Sequence, residues 1–297
     1  MLAFVFPGQG SQRRGMGQGL FDEVPEFLAK EREIDQCLGY SIRTLCLEDP
    51  GSRLKETQYT QPCLYIVNAL HYYKAVAQGM RPSFFAGHSL GEYNALLAAG
   101  AFDLITGLRL VQKRGEMMSK VKNGGMAAII GLNAKRVKQL LEENGFSGLD
   151  VANYNSEAQI VLTGMMNDIN RAAPIFEKAN AKLYMPLLVS AAFHSRYMSD
   201  VAAKFGDFLN AFTFYSLHTP VISNVTGEPY PSGDSSAAIR SLLSRQICSS
   251  VLWMQSVRYM LTRGVTAFKE IGPGDVLTQL VQRIQMEELS EVAVKAM

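Results

Sequence analysis

Gly87-His88-Ser89-Leu90-Gly91 is the stretch of this chain whose residue types and spacing point most directly to chemistry. It fits G-x-S-x-G, with a short strand pattern before it (82–86) and a helix pattern after it (92–99), ending at Gly100. That context is the one a nucleophile elbow requires. A serine on a sharp strand-to-helix turn is pushed outward, and glycines two residues to either side let the backbones pass. A helix starting at Leu90 aims its free N–H groups and positive dipole end at the serine, which favours the oxyanion of a tetrahedral intermediate.

A serine nucleophile needs a base, and the chain has only His71, His88, His194 and His218. His71 lies within an apolar helical pattern and reads as a packing residue. His88 precedes the serine and projects elsewhere, in a supporting role. His218 sits in the strand-entry turn Ser216-Leu217-His218-Thr219-Pro220. His194 follows an apolar stretch (187–192) read as a buried strand, and catalytic groups cluster at strand C-termini. It also comes after the serine, the order that elbow enzymes use. His194 is therefore the expected base.

No aspartate or glutamate stands in a turn suited to orient that histidine. A backbone carbonyl does the same work by fixing the Nδ1–H tautomer, so the residues alone leave the third member open. Arg114, 25 positions after Ser89, lies between an apolar helical stretch and Gly115. Turned inward it is a bidentate partner for a substrate carboxylate. On its position alone it reads as a solvated arginine near a helix end.

Other motifs fail on inspection. Gly8-Gln9-Gly10 continues to Arg13, so G-x-G-x-x-G is not met, and Met16 stands where a P-loop needs lysine. No His or Cys pair has metal-ligand spacing, so no metal is expected.

The elements that must position these residues follow from periodicity. The apolar run at residues 2–6 reads as a strand buried on both faces, opening into the loop Pro7-Gly8-Gln9-Gly10-Ser11. Helical patterns cover 65–76 and 104–120. From about 125 the order becomes strand (126–132), helix (134–143, with Asn133 as N-cap and Gly145 as stop), strands (149–154 and 159–163), helix (168–179) and strand (182–189). That is β-α-β-β-α-β, the ferredoxin-like motif, complete in about 65 residues and so read as an insert. The expected organisation is an α/β core with a mainly parallel sheet over 1–124 and 190–297, and a ferredoxin-like subdomain over 125–189.

Composition narrows the classes. The 297 residues are 47% hydrophobic and 19% charged, which excludes a disordered chain. A net charge of +2 gives no basic stripe for nucleic acid. Cys37, Cys46, Cys63 and Cys248 lack C-x-x-C spacing, which fits a reducing cytoplasm and argues against a disulfide scaffold. No apolar run approaches the ~18 residues of a membrane span, and Pro7 with no basic start argues against a signal peptide.

Taken in order, Phe6-Pro7-Gly8-Gln9-Gly10-Ser11-Gln12, Thr60-Gln61-Pro62, Gly87-His88-Ser89-Leu90-Gly91, Arg114-Gly115, Asn153-Tyr154-Asn155-Ser156, Ala192-Phe193-His194-Ser195 and Gly272-Pro273-Gly274 resemble the malonyl-CoA:acyl-carrier-protein transacylases over essentially the whole chain. The similarity is nearest to the free-standing acyltransferases of trans-acyltransferase polyketide synthases.

The resemblance implies an α/β-hydrolase-like core with a ferredoxin-like insert. It implies Ser89 as nucleophile, His194 as base, and the backbone N–H groups of Gln9 and Leu90 as oxyanion hole. Arg114 becomes the malonyl-carboxylate ligand, against the solvated reading. The backbone carbonyl of Gln246 orients the histidine, and Asn153 lies near the site. In this family a phenylalanine before the histidine goes with malonyl, and this chain has Phe193. A ring there crowds a methyl on the acyl α-carbon, which discriminates only about 10- to 200-fold. The implied partners are malonyl-CoA, as substrate and not cofactor, and a phosphopantetheinylated acyl carrier protein. Nucleic acid and membrane are not implied. The competing readings are a fatty-acid malonyl transacylase, an acyl-carrier thioesterase of the same fold, and a non-enzymatic docking protein with a vestigial elbow.

Overall fold

The apolar opening residues form β1 (Leu2–Phe6), the strand around which a parallel sheet is built. Ala3 to Phe6 are fully buried. Phe4 and Phe6 belong to one apolar cluster, while Ala3 and Val5 belong to a second one on the other face of the sheet. A strand covered on both faces reads as an unbroken apolar run, which is why periodicity detected it. The computed structural model describes residues 1–295, with side chains through residue 290.

Short helices α1 (Leu20–Glu23), α2 (Pro25–Leu28), α3 (Glu31–Leu38) and α4 (Ile42–Glu48) lead through a 3₁₀ segment (Pro50–Lys55) to the long α5 (Thr57–Ala77). The chain then forms β2 (Phe84–Gly87), α6 (Gly91–Ala98) and α7 (Leu104–Ser119). After the segment described below it returns through α10 (Ser199–Leu209), β7 (Val221–Ile222), α11 (Ser236–Gln246), α12 (Trp253–Thr262), β8 (Ala267–Glu270) and α13 (Val276–Lys295). The sheet order is β7-β2-β1-β8, and every pairing is parallel. Phe6 pairs with Gly87, so the loops after β1 and β2 emerge side by side at the carboxyl edge, where open α/β sheets place their sites.

Helices α5 and α7 pack closely. A Cβ at Gly115 would lie 3.1 Å from the carbonyl oxygen of Thr57, so glycine permits the approach. This overturns the reading of Arg114, from position alone, as a solvated arginine near a helix end. Gly115 does not end the helix, which runs on to Ser119. Arg114 faces α5 from the helix interior and is 1% exposed.

The second sheet comprises β3 (Gly124–Ile130), β4 (Asp150–Ser156), β5 (Gln159–Met165) and β6 (Leu183–Pro186), with α8 (Ala134–Glu143) and α9 (Met166–Lys178) between them. Its order is β4-β5-β3-β6, antiparallel throughout, the ferredoxin-like arrangement of β-α-β-β-α-β. Asn133 caps α8, accepting from the Arg136 N–H at 2.9 Å. Ala127 and Ile129 pack under α8 and α9, while Met126 and Ala128 join the main core. The expected strands over 182–189 and 187–192 are corrected: β6 stops at Pro186 and the chain to His194 is irregular. The Leu187 N–H still bonds the Met126 carbonyl at 2.9 Å, but beyond it the chain leaves the sheet and Leu188 turns out to solvent. His194 therefore does not end a strand. It sits in a turn with φ +58°.

Candidate active site

The elbow forms where β2 gives way to α6. Ser89 takes φ +52°, a left-handed conformation that a non-glycine residue adopts only when its surroundings hold it there. Gly91 lets the turn sit on β1: a Cβ there would lie 2.0 Å from the Phe6 carbonyl oxygen. Asn224, from the loop after β7, clamps the turn. Its Oδ1 accepts from the Ser89 N–H at 2.7 Å and its Nδ2 donates to the Gly87 carbonyl at 2.6 Å.

Ser89 Oγ lies 2.8 Å from His194 Nε2. His194 Nδ1 lies 2.8 Å from the Gln246 carbonyl oxygen and 3.2 Å from that of Ser249. Both are acceptors only, so Nδ1 carries the hydrogen and Nε2 is left to accept the serine proton. Gln246 is the last residue of α11, and the last turn of a helix leaves carbonyls without intrahelical partners. One of these orients the imidazole with no acid in contact. Burial pulls the His194 ring down to about 3, and the Arg114 charge adds to this, so the resting ring is neutral.

Arg114 enters from α7. Its Nη1 donates to Gln61 Oε1 at 2.8 Å, and its Nη2 to Gln246 Oε1 at 3.0 Å and Ser89 Oγ at 3.1 Å. Its guanidinium carbon is 5.6 Å from the centre of the Tyr93 ring. None of these partners is an acid, so the charge stays available to an anion beside the serine hydroxyl.

Ser89, His194, Arg114, Gln9, Leu90, Asn153 and Phe193 all line one cavity of about 100 Å³, closed further by Met118, Met126 and Leu187. Asn153 Oδ1 has no protein partner there. Gln246 lies behind the cavity and reaches it through His194 and Arg114. Of the other histidines, His88 turns away to Asn155, its Nε2 2.9 Å from Oδ1. His71 lies in α5 and His218 before β7, both away from the cavity lining. Among the described residues no cluster of three His, Cys, Asp or Glu side chains is placed to hold a metal ion, and no helix is long and apolar enough to cross a membrane.

Sequence reasoning missed Glu92, Asn224, Tyr93 and Tyr230. Glu92 is fully buried one residue past the elbow. It accepts from Tyr230 Oη at 2.6 Å, Gln246 Nε2 at 2.5 Å and the Asn224 N–H at 3.3 Å. Burial pushes its carboxyl up to about 7, with those hydrogen bonds opposing the rise. The one available signal was a charged residue opening an otherwise apolar helix. Asn224 and Tyr230 gave none, since both arrive from loops distant in sequence.

This arrangement suits acyl transfer through a serine ester. The acyl transferase domain family matches residues 3–296. The chain is 50% identical over 289 residues to the polyketide biosynthesis malonyl CoA-acyl carrier protein transacylase BaeC of Bacillus velezensis, covering 97% of this chain and 98% of that protein. The structure is similar to the malonyl CoA-acyl carrier protein transacylase of Burkholderia pseudomallei (TM-score 0.91, 44% identity, 96% of this chain and 98% of that one). It is also similar to a malonyl-transacylase solved in complex with its type II PKS acyl-carrier protein (TM-score 0.89, 35% identity, 95% and 92% of the two chains). The chain belongs to the acyl transferase domain family.

Proposed function

We propose that this chain moves a malonyl group from malonyl-CoA to the phosphopantetheine thiol of an acyl carrier protein, and that it supplies a polyketide synthase. The observation that carries this reading is the serine–imidazole pair at 2.8 Å with a buried guanidinium 3.1 Å from the same serine oxygen. Likeness to transacylases of that name over nearly the full chain supports it.

In the first half-reaction Ser89 Oγ attacks the thioester carbonyl as its proton passes to His194 Nε2. The carbonyl oxygen gains charge, and the N–H groups of Gln9 and Leu90 receive it. The C–S bond then breaks, coenzyme A leaves with the proton held by His194, and malonate remains as an ester on Ser89. Arg114 holds the free carboxylate. In the second half-reaction the carrier thiol gives its proton to His194, sulfur attacks the ester carbonyl, the C–Oγ bond breaks and Ser89 recovers the proton. Phe193 lines the same cavity as Ser89, where its ring disfavours a methyl on the acyl α-carbon, and Asn153 lines it too, where only its amide N–H could serve a malonyl group that has acceptors alone.

We also read 125–189 as an inserted subdomain, a division supported by the separate apolar cluster under α8 and α9. We place the protein in the cytoplasm, and four free cysteines support a reducing compartment.

The test is a partition experiment. The purified chain, malonyl-CoA and a phosphopantetheinylated carrier protein should give malonyl-carrier faster than free malonate. Malonate release that outpaces transfer would make the protein a thioesterase instead.

A further inference from the structure

Glu92 and Arg114 are the only Asp, Glu, Lys or Arg residues buried among the described residues. They do not hydrogen-bond to each other, and the side-chain amide of Gln246 stands between them. Its Oε1 accepts from Arg114 Nη2 at 3.0 Å, and its Nε2 donates to Glu92 Oε2 at 2.5 Å and to the Ser89 carbonyl at 2.9 Å. Only one orientation of the amide satisfies this set. A guanidinium only donates and a backbone carbonyl only accepts. Flipping the amide would set Nε2 against Nη2 and Oε1 against two oxygens.

Glu92 is itself fixed by Tyr230 Oη and the Asn224 N–H, both on Oε1. Oε2 is thus left as an acceptor whether or not Oε1 carries a proton. Gln246 divides its work: its main-chain carbonyl serves His194 and its side-chain amide serves Arg114. A disturbance confined to the amide therefore reaches the guanidinium and the Ser89 carbonyl, while the Ser89–His194 hydrogen bond and the carbonyl that orients the ring keep their own partners.

We infer that Glu92 is a positioning residue for substrate selection: by fixing the Gln246 amide it holds the Arg114 guanidinium in the pose that receives the substrate carboxylate. This rests on the reading of Arg114 as the malonyl ligand. Glu92 touches no reacting atom. Its effect is on which acyl group is accepted, not on how fast an acceptable one reacts.

The test compares acylation of Ser89 by malonyl-CoA and acetyl-CoA, read by intact mass as kcat/KM for each. E92L removes the acceptor, and the malonyl-to-acetyl ratio falls about tenfold. E92Q still offers Gln246 an oxygen, and the ratio stays within about threefold of the parent. Q246M removes the amide and leaves the Glu92 side chain in place without its Gln246 donor, and it reproduces the E92L loss, which keeps the test decisive if E92L fails to fold. In the E92L/Q246M double variant the losses do not add, because both act through one hydrogen bond. General damage to the elbow slows both substrates and leaves the ratio unchanged, so an unchanged ratio in both E92L and Q246M overturns the inference. So does a loss in E92Q equal to that in E92L. Arg114→Ala run alongside separates the two levels: if it keeps the malonyl preference, the reading of Arg114 fails; if it loses the preference while E92L and Q246M keep it, only the role of Glu92 fails.

Discussion

Replacing Arg114 by alanine should turn a malonyl-selective site into one that prefers uncharged acyl groups. The guanidinium is 1% exposed and donates to Gln61, Gln246 and Ser89 at 2.8, 3.0 and 3.1 Å. A malonyl carboxylate two bonds beyond the ester carbonyl would meet it in a cavity of about 100 Å³, with little room for water to substitute. Hydrogen bonds to charged groups contribute about 1.5–3 kcal/mol each. A two-point contact then gives about 3–6 kcal/mol, or roughly 10²- to 10⁴-fold in kcat/KM for malonyl-CoA. Acetyl-CoA has no carboxylate to lose, so its acylation should hold or rise as the site opens. Stability falls as well, because Gln61 Oε1 and Gln246 Oε1 lose the same donor in a dry interior. That cost is about 3 kcal/mol, or roughly 5–10 °C in Tm. Rapid-quench acylation with both thioesters, read by intact mass, separates the effects. A malonyl-to-acetyl ratio equal to that of the parent would refute the reasoning, whatever happened to Tm.

Two further outcomes follow from the elbow and its base. With His194 held at about 3 by burial and the Arg114 charge, the general base stays neutral down to mildly acidic pH. Acylation at pH 6 should thus match that at pH 7.5, whereas a histidine at its ordinary value would keep only about a quarter of its base form there. In Arg114→Ala the ring loses a repelling charge, and the acid limb of the pH profile should move upward. A limb near 6.5 in the parent would contradict the buried-imidazole account. Gly91→Ala sets a Cβ 2.0 Å from the Phe6 carbonyl oxygen, a backbone atom that cannot swing aside. It should abolish serine labelling or folding, and a soluble variant with parental acylation rates would show that the turn is not under this constraint.

The parts of the molecule legible in the sequence are those with local causes. β1 is covered on both faces and so shows an unbroken apolar run, and α8 carries its own Asn133 cap. Ser89 announced itself because the close passage of backbones demands glycine nearby. Arg114 was misread by position alone because its burial depends on α5 packing against α7, which no periodicity within 104–120 reports. The strand expected before His194 failed because the chain leaves the sheet after Leu187, with Leu188 turned out to solvent, while the apolar pattern runs on to Val189. Glu92 was passed over because its partners lie 132 to 154 positions away. What binds a buried carboxyl is tertiary, and its only local trace is a charge where an apolar helix begins.

The proposed reaction requires a malonyl ester to form at one serine oxygen. Incubation with malonyl-CoA, acid quench, intact mass and peptide mapping should find a single malonyl adduct on the peptide carrying Ser89 and none on Ser89→Ala. A malonyl adduct that persists on Ser89→Ala, or one that maps to another residue in the parent chain, would contradict it.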